Sequence, residues 1–243
     1  MNSRFGGNGR RDTVKLDKKH VLPHDKEYPV DAVFFDGSNE AGWYFTLGTA
    51  QRKNDIINLF FILRIPDVGT FVNPEIASNT NVKSIHSTNE WITESGFTVS
   101  CVVPMKIWNL RFKGDLIKSP GEIIFDTVGV MADNNAERIH AEFNLEWTNF
   151  GTKPLSIYYL LSNFLFQFGF LSGFYKIGHH EFNDIRLTSM RDHTIANHRR
   201  WSDIRRYIMM IYHLIDGTCI HTSIISMPGI VFTQLEFGYI ITP

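Results

Sequence analysis

The sequence predicts an all-β protein, an antiparallel barrel or sandwich. Three observations carry this reading. Short β-prone runs recur at about ten-residue spacing. Turn residues separate them, and several runs alternate apolar with polar side chains in a period of two. Strands following one another across short turns argue against a βαβ arrangement.

In chain order, the run V-D-A-V-F-F-D-G-S-N-E-A-G-W-Y-F-T-L-G-T-A gives two strands around the loop Asp36–Gly42, where D-G and G-W supply turn signals. D-I-I-N-L-F-F-I-L-R-I-P reads as a third, mostly buried strand. G-F-T-V-S-C-V-V-P, K-I-W-N-L-R-F-K-G-D-L and G-E-I-I-F-D-T-V-G-V-M follow as strands. In I-W-N-L-R-F, Trp108, Leu110 and Phe112 alternate with Asn109 and Arg111, a strand with one wet face. R-I-H-A-E-F-N-L-E-W-T-N repeats the pattern, with Ile139, Ala141, Phe143, Leu145 and Trp147 on one side. Later, H-E-F-N-D-I-R-L-T-S-M leads into M-R-D-H-T-I-A-N-H-R-R-W, and a hairpin turning at Asp216-Gly217 follows. L-E-F-G-Y-I-I-T-P closes the sequence in a strand whose edge needs a partner.

The 243 residues have room for one large β unit or two small domains, and 43% hydrophobic with 20% charged residues fits an ordered globular protein. A net charge of -1 supplies no field for nucleic acid, which is not an expected partner. Aromatic residues at 14%, with 20 Phe, suit a large apolar core or an apolar cavity. Cys101 and Cys219 form no metal-spaced pair, and free thiols fit a cytoplasmic protein. The polar, Gly-rich leader M-N-S-R-F-G-G-N-G-R-R-D is not a secretory signal, and disorder is expected over residues 1–22. A first β domain is expected over 23–150 and a second, partial one over 151–243. From Leu155 to Tyr175 the sequence holds 21 residues without a charge. That length spans a bilayer, but Asn163, Gln167 and three serines dilute it. A buried strand-turn-strand or an apolar helix over a barrel mouth are the alternatives.

The stretch from Met190 to Trp201 gathers three arginines, two histidines, an aspartate and a tryptophan. On a strand, Met190 and Asp192 face one side and Arg191 and His193 the other, until a turn near Asn197, a residue that tolerates the left-handed region. Arg191, Asp192 and His193 form either an acid-base set in a partly dry cavity or a buried polar network that fixes geometry. His179, His180 and Glu181 invite a metal reading, yet neighbours on a strand face opposite sides, so no metal or other cofactor is expected. The arginines at 186, 199, 200, 205 and 206 are interleaved with Asp184, Asp192 and Asp203, as on a solvated face. No phosphate loop, dinucleotide fingerprint or H-E-x-x-H occurs.

R-D-H-T-I-A-N-H-R-R-W resembles the R-D-H-S-[WF]-G-x-R-x-W motif of the AttH/carotenoid 1,2-hydratase-like (hydroxyneurosporene synthase-like) superfamily. F-D-G-S-N-E-A-G (Phe35–Gly42), W-N-L-R-F-K-G (Trp108–Gly114) and R-Y-I-M-M-I-Y-H-L-I-D-G with L-E-F-G-Y (Arg206–Tyr239) resemble uncharacterised animal proteins labelled phosphoenolpyruvate synthase-like. The similarity spans residues 30–242, with Thr194 in place of the family serine and Asn197 in place of its glycine. It implies two lipocalin-like antiparallel barrels packed together, the second incomplete, and a cavity for a hydrophobic, lipid or isoprenoid-like small molecule. By position it makes Asp192 and His193 the catalytic pair of a hydratase, isomerase or cyclase, Asp192 orienting His193 for proton transfer. Arg191, His180, Glu181, Trp201 and Tyr207 then line the ligand site. A non-catalytic accessory role, without a ligand, is the third alternative.

Overall fold

Period-two alternation governs the computed structural model, which describes residues 13–74, 81–119, 136–151, 154–159, 162–229 and 232–243. The strands are β1 (Val30–Ser38), β2 (Tyr44–Arg52), β3 (Ile56–Ile65), β4 (Gly69–Val72), β5 (Asn81–Ile85), β6 (Glu90–Thr93), β7 (Phe97–Val103) and β8 (Ile107–Lys118). After them come β9 (Arg138–Asn149), β10 (Leu155–Tyr159), β11 (Ser162–Ile177), β12 (His180–Ala196), β13 (Arg206–His213), β14 (Cys219–Met227) and β15 (Phe232–Ile241). The helical elements with both ends described are single turns at Thr13–Leu16 and Trp201–Asp203. The expected strand over 121–131 lies outside the described residues.

The first twelve strands make one antiparallel sheet and the last three another. In the large sheet, β12 pairs with β1, β1 with β2 and β2 with β3. One half of β3 pairs with β4, which reaches β8; the other half pairs with β5, which reaches β8 through β6 and β7. β9 then joins β8 to β11, and β11 returns to β12. The pairings therefore run round a ring, which leaves few open edges for aggregation. The division expected at residue 150 falls inside this ring, because β10, β11 and β12 belong to the same sheet as β1–β9.

One cluster of buried side chains joins Phe35, Leu47, Phe61, Phe97, Phe112, Phe143, Leu171 and Leu187, which come from strands all round the ring, so these residues face inward. Aromatic rings fill this space. Phe61 stacks on Phe143 at 5.5 Å and Phe97 lies 4.2 Å from Phe112, spacings that add to the burial energy of each ring. The interior, where a ligand cavity was expected, is occupied by the protein's own side chains. Gly169 on β11 allows a close approach: a Cβ there would sit 2.3 Å from the Thr148 carbonyl and 2.6 Å from the Trp147 indole. That indole also lies 5.0 Å from the Arg191 guanidinium carbon.

The charge-free run 155–175 is β10 and β11, a strand-turn-strand whose residues 160–161 lie outside the described residues. No helix among the described residues is long and apolar enough to cross a membrane. β11 is apolar on both faces for a physical reason. Leu171 and Tyr175 enter the ring core, while Phe166 and Phe168 enter a second core on the outside. That second core is roofed by the three-stranded sheet β13–β14–β15, which contributes Met209, Ile211, Cys219, Phe237 and Tyr239. The hairpin between β13 and β14 turns as expected at Asp216-Gly217, with Gly217 at φ 85°.

Of the leader expected to be disordered, residues 1–12 lie outside the described residues, and the chain is described from Thr13 onward. Asp17 is fully buried, and Lys19 Nζ donates to the carbonyls of Ser87 (2.8 Å) and Glu90 (2.5 Å). A segment that looked too polar to pack is held because its carboxylate meets a buried guanidinium.

Candidate functional site

Alternation along β12 separates the R-D-H residues as the pleat requires. Arg191 and His193 point into the ring and are fully buried, while Met190 joins the outer core and Asp192 faces an outer pocket. Two sites follow from one strand.

Inside the ring, Arg191 makes a two-point contact with Asp17: NH1 lies 2.7 Å from Oδ1, and NH2 donates to Oδ2 at 2.8 Å. The same NH2 donates to Gln167 Oε1, and Gln167 Nε2 donates to the Met105 carbonyl at 3.1 Å. The guanidinium carbon is 4.9 Å from the Trp108 ring and 5.0 Å from the Trp147 ring. His193 Nε2 is 2.6 Å from Asp31 Oδ1, and its Nδ1 is 3.6 Å from Asp17 Oδ1. Asp31 also accepts the His20 backbone N–H at 2.5 Å, and the Trp91 indole donates to its backbone carbonyl at 3.1 Å.

Electrostatics fix the protonation states. Burial alone would raise both carboxylates, but Arg191 and then His193 pull Asp17 down, and His193 pulls Asp31 down. Burial opposes a charged His193, yet Asp31 and Asp17 outweigh it and push the imidazole up to about 9. Two anions thus face two cations, a neutral quartet with low desolvation cost relative to any unpaired member. Donor atoms of His20, Asp31 and His193 lie within 4.8 Å of one another. In the protonated state, however, both nitrogens of His193 are directed at carboxylates.

Sequence reasoning expected Asp192 to orient His193. That pairing is corrected: the two face opposite sides of β12, and Asp31 holds the imidazole. Asn197, expected in the left-handed region, is not among the positive-φ residues of the described chain. His180 and Glu181 begin β12, and about 12 residues of strand, roughly 40 Å, separate them from the R-D-H residues. There Glu181 pairs with Lys176 at 3.4 Å and the His180 ring lies 4.0 Å from that of His179.

The outer site is an apolar pocket of about 110 Å³ between the ring and the connection into β13. Phe34, Gly48, Ala50 and Phe60 of β1–β3 form its floor, and Trp201, Tyr207 and Met209 its other wall. Asp192, Arg52 and Arg199 are its charged groups. Burial pushes the Asp192 carboxyl up to about 6, against the pull of Arg199. Trp201 is half exposed at the rim. The rest of the motif builds a surface clamp: Arg200 NH2 lies 2.7 Å from Asp203 Oδ1, and His198 Nε2 is 3.1 Å from Asp203 Oδ2.

The structure therefore brings Asp192, Trp201 and Tyr207 to the pocket, places Arg191 and His193 in the quartet, and leaves His180 and Glu181 apart. Sequence reasoning missed Asp17, Asp31, Gln167 and Arg52. Asp31 carried a signal, since it occupies the inward phase set by Val33 and Phe35 in V-D-A-V-F-F. Asp17 carried none.

A crystal structure of a candidate AttH protein from Nitrosomonas europaea shares this arrangement, with a TM-score of 0.53 over 92% of this chain and 73% of that one, at 8% sequence identity. The fold is AttH-like. At that identity the likeness concerns architecture alone. No protein-family model matches the chain, and no curated protein matches it. The expected kinship with phosphoenolpyruvate synthase-like proteins rests on sequence motifs only.

Proposed function

We propose that this protein binds a hydrophobic small molecule in the pocket between the ring and β13. The observation that carries the reading is a partly open apolar hollow with a few converging polar groups, a common form of ligand site. The resemblance noted in the sequence implies a lipid or isoprenoid-like ligand within lipocalin-like barrels. The packed ring interior moves the site from inside a barrel to its outer face. A hollow of about 150 Å³ accommodates benzene, so 110 Å³ admits one short branched end of such a molecule.

Mass spectrometry of small molecules released from the purified full chain tests the proposal. The native protein is expected to release an apolar compound that Ala50→Trp, whose indole would fill the pocket, does not retain. Identical release profiles from two folded proteins would rule the pocket out.

A second reading is favoured by Asp192. A carboxyl that stays protonated up to about pH 6 in an apolar wall is a proton donor suited to hydratase, isomerase or cyclase chemistry. In that case Asp192→Asn abolishes turnover of the released compound while leaving it bound, and His193, which faces away, acts only through the fold.

A further inference from the structure

Among the described residues the charges of the pocket are not evenly matched. Arg199 has its guanidinium carbon 5.6 Å from the Trp201 ring and forms no ion pair among the described residues. Arg52 donates through Nε to Asn58 Oδ1 at 2.7 Å and through NH1 to the Arg199 carbonyl at 2.6 Å, both neutral acceptors. Burial first, and then the neighbouring Arg199 charge, push Arg52 down to about 10. Against them the pocket lining sets one carboxylate, Asp192, whose side-chain partner is the Thr194 hydroxyl at 3.4 Å. Two cations and one anion leave one positive charge beside an apolar hollow.

We propose that the pocket recognises a small branched organic monocarboxylate, its apolar end among Phe34, Phe60 and Met209 and its carboxylate between Arg52 and Arg199. The inference rests on the pocket being a ligand site and adds the class of head group. A single excess charge fits a monoanion better than a doubly charged phosphate ester. Guanidinium groups suit it because their paired N–H donors match the two oxygens of a carboxylate. The volume limits the body to a short branched chain of about four or five carbons, close in bulk to the benzene that a slightly larger hollow holds.

Calorimetric titration of the full chain with isovalerate, isopentyl alcohol, isopentylamine and isopentyl phosphate decides the matter. Isovalerate is expected to bind most tightly, and Arg199→Gln to weaken it by about tenfold or more. The Arg199 side chain makes no hydrogen bond that the fold needs, so this variant folds. Equal affinity for the alcohol, tightest binding of the amine or the phosphate, or an Arg199→Gln variant that binds isovalerate unchanged, overturns the head-group assignment while leaving the pocket in place. If none of the four binds and the native chain releases no apolar compound, the pocket reading falls with it.

Discussion

Arg191→Ala is expected to destabilise the folded protein by about 3–5 kcal/mol, because it strands the Asp17 carboxylate in a site with no access to water. The figure comes from the asymmetry of buried pairs. A matched pair contributes little net stability, whereas removing one member leaves the other charged, desolvated and unpaired. Arg191 also fills the space between the Trp108 and Trp147 rings, so truncation removes packing as well as charge. Urea unfolding measures the loss as a drop in midpoint at constant slope. The companion variant is Arg191→Met combined with Asp17→Leu. Removing both charges together with shape retained is expected to recover most of the lost stability. An Arg191→Ala midpoint within experimental scatter of the native value would sink the idea that the quartet is a closed electrostatic unit.

Folding stability is expected to decline by about 2 kcal/mol between about pH 7 and pH 9, and His193→Gln is expected to flatten that decline. The imidazole sits at about 9 in the folded chain against an ordinary 6.5. A group raised on folding contributes fully below its unfolded pKa and loses that contribution as pH climbs through the folded one. Other buried groups act elsewhere. Asp192, raised to about 6 by burial, loses most of its contribution before pH 7, and Asp36, raised to about 7, carries only a last fraction beyond it. His213 and His221, lowered to about 4 by burial, lose theirs as pH falls below 6.5. Asp17 and Asp31, held down, weaken the fold only in stronger acid. Most of the decline between pH 7 and 9 thus belongs to His193. Unfolding curves at the two ends of it, for both proteins, give the comparison; parallel slopes in native and variant would refute the assignment.

Much of the fold was legible because strand alternation writes itself into sequence. β3, β8 and β9 each show apolar residues at every second position and bury that face. The short strands escaped notice. β5 and β6 span only 5 and 4 residues, too few for a period to stand out. β11 misled in the opposite way, since a strand buried on both faces has no alternation and imitates a membrane segment in composition. The site divided along the same line. The opposed facing of Arg191 and Asp192 followed from the pleat, but Asp17 and Gln167 reach Arg191 from positions 174 and 24 residues away, and no local pattern encodes such a meeting. Arg52 was invisible for a further reason: it ends β2, where a charged residue is ordinary.

The separation between Asp17 and Arg191 also bears on the order in which the protein takes shape. During synthesis the acid emerges early, and 174 more positions must follow before its arginine exists. Until then the Asp17 carboxylate lacks the guanidinium that pairs with it in the folded protein. Of the four charges, the first to be made therefore waits for one of the last, because the contact between Asp17 and Arg191 can form only once β12 exists.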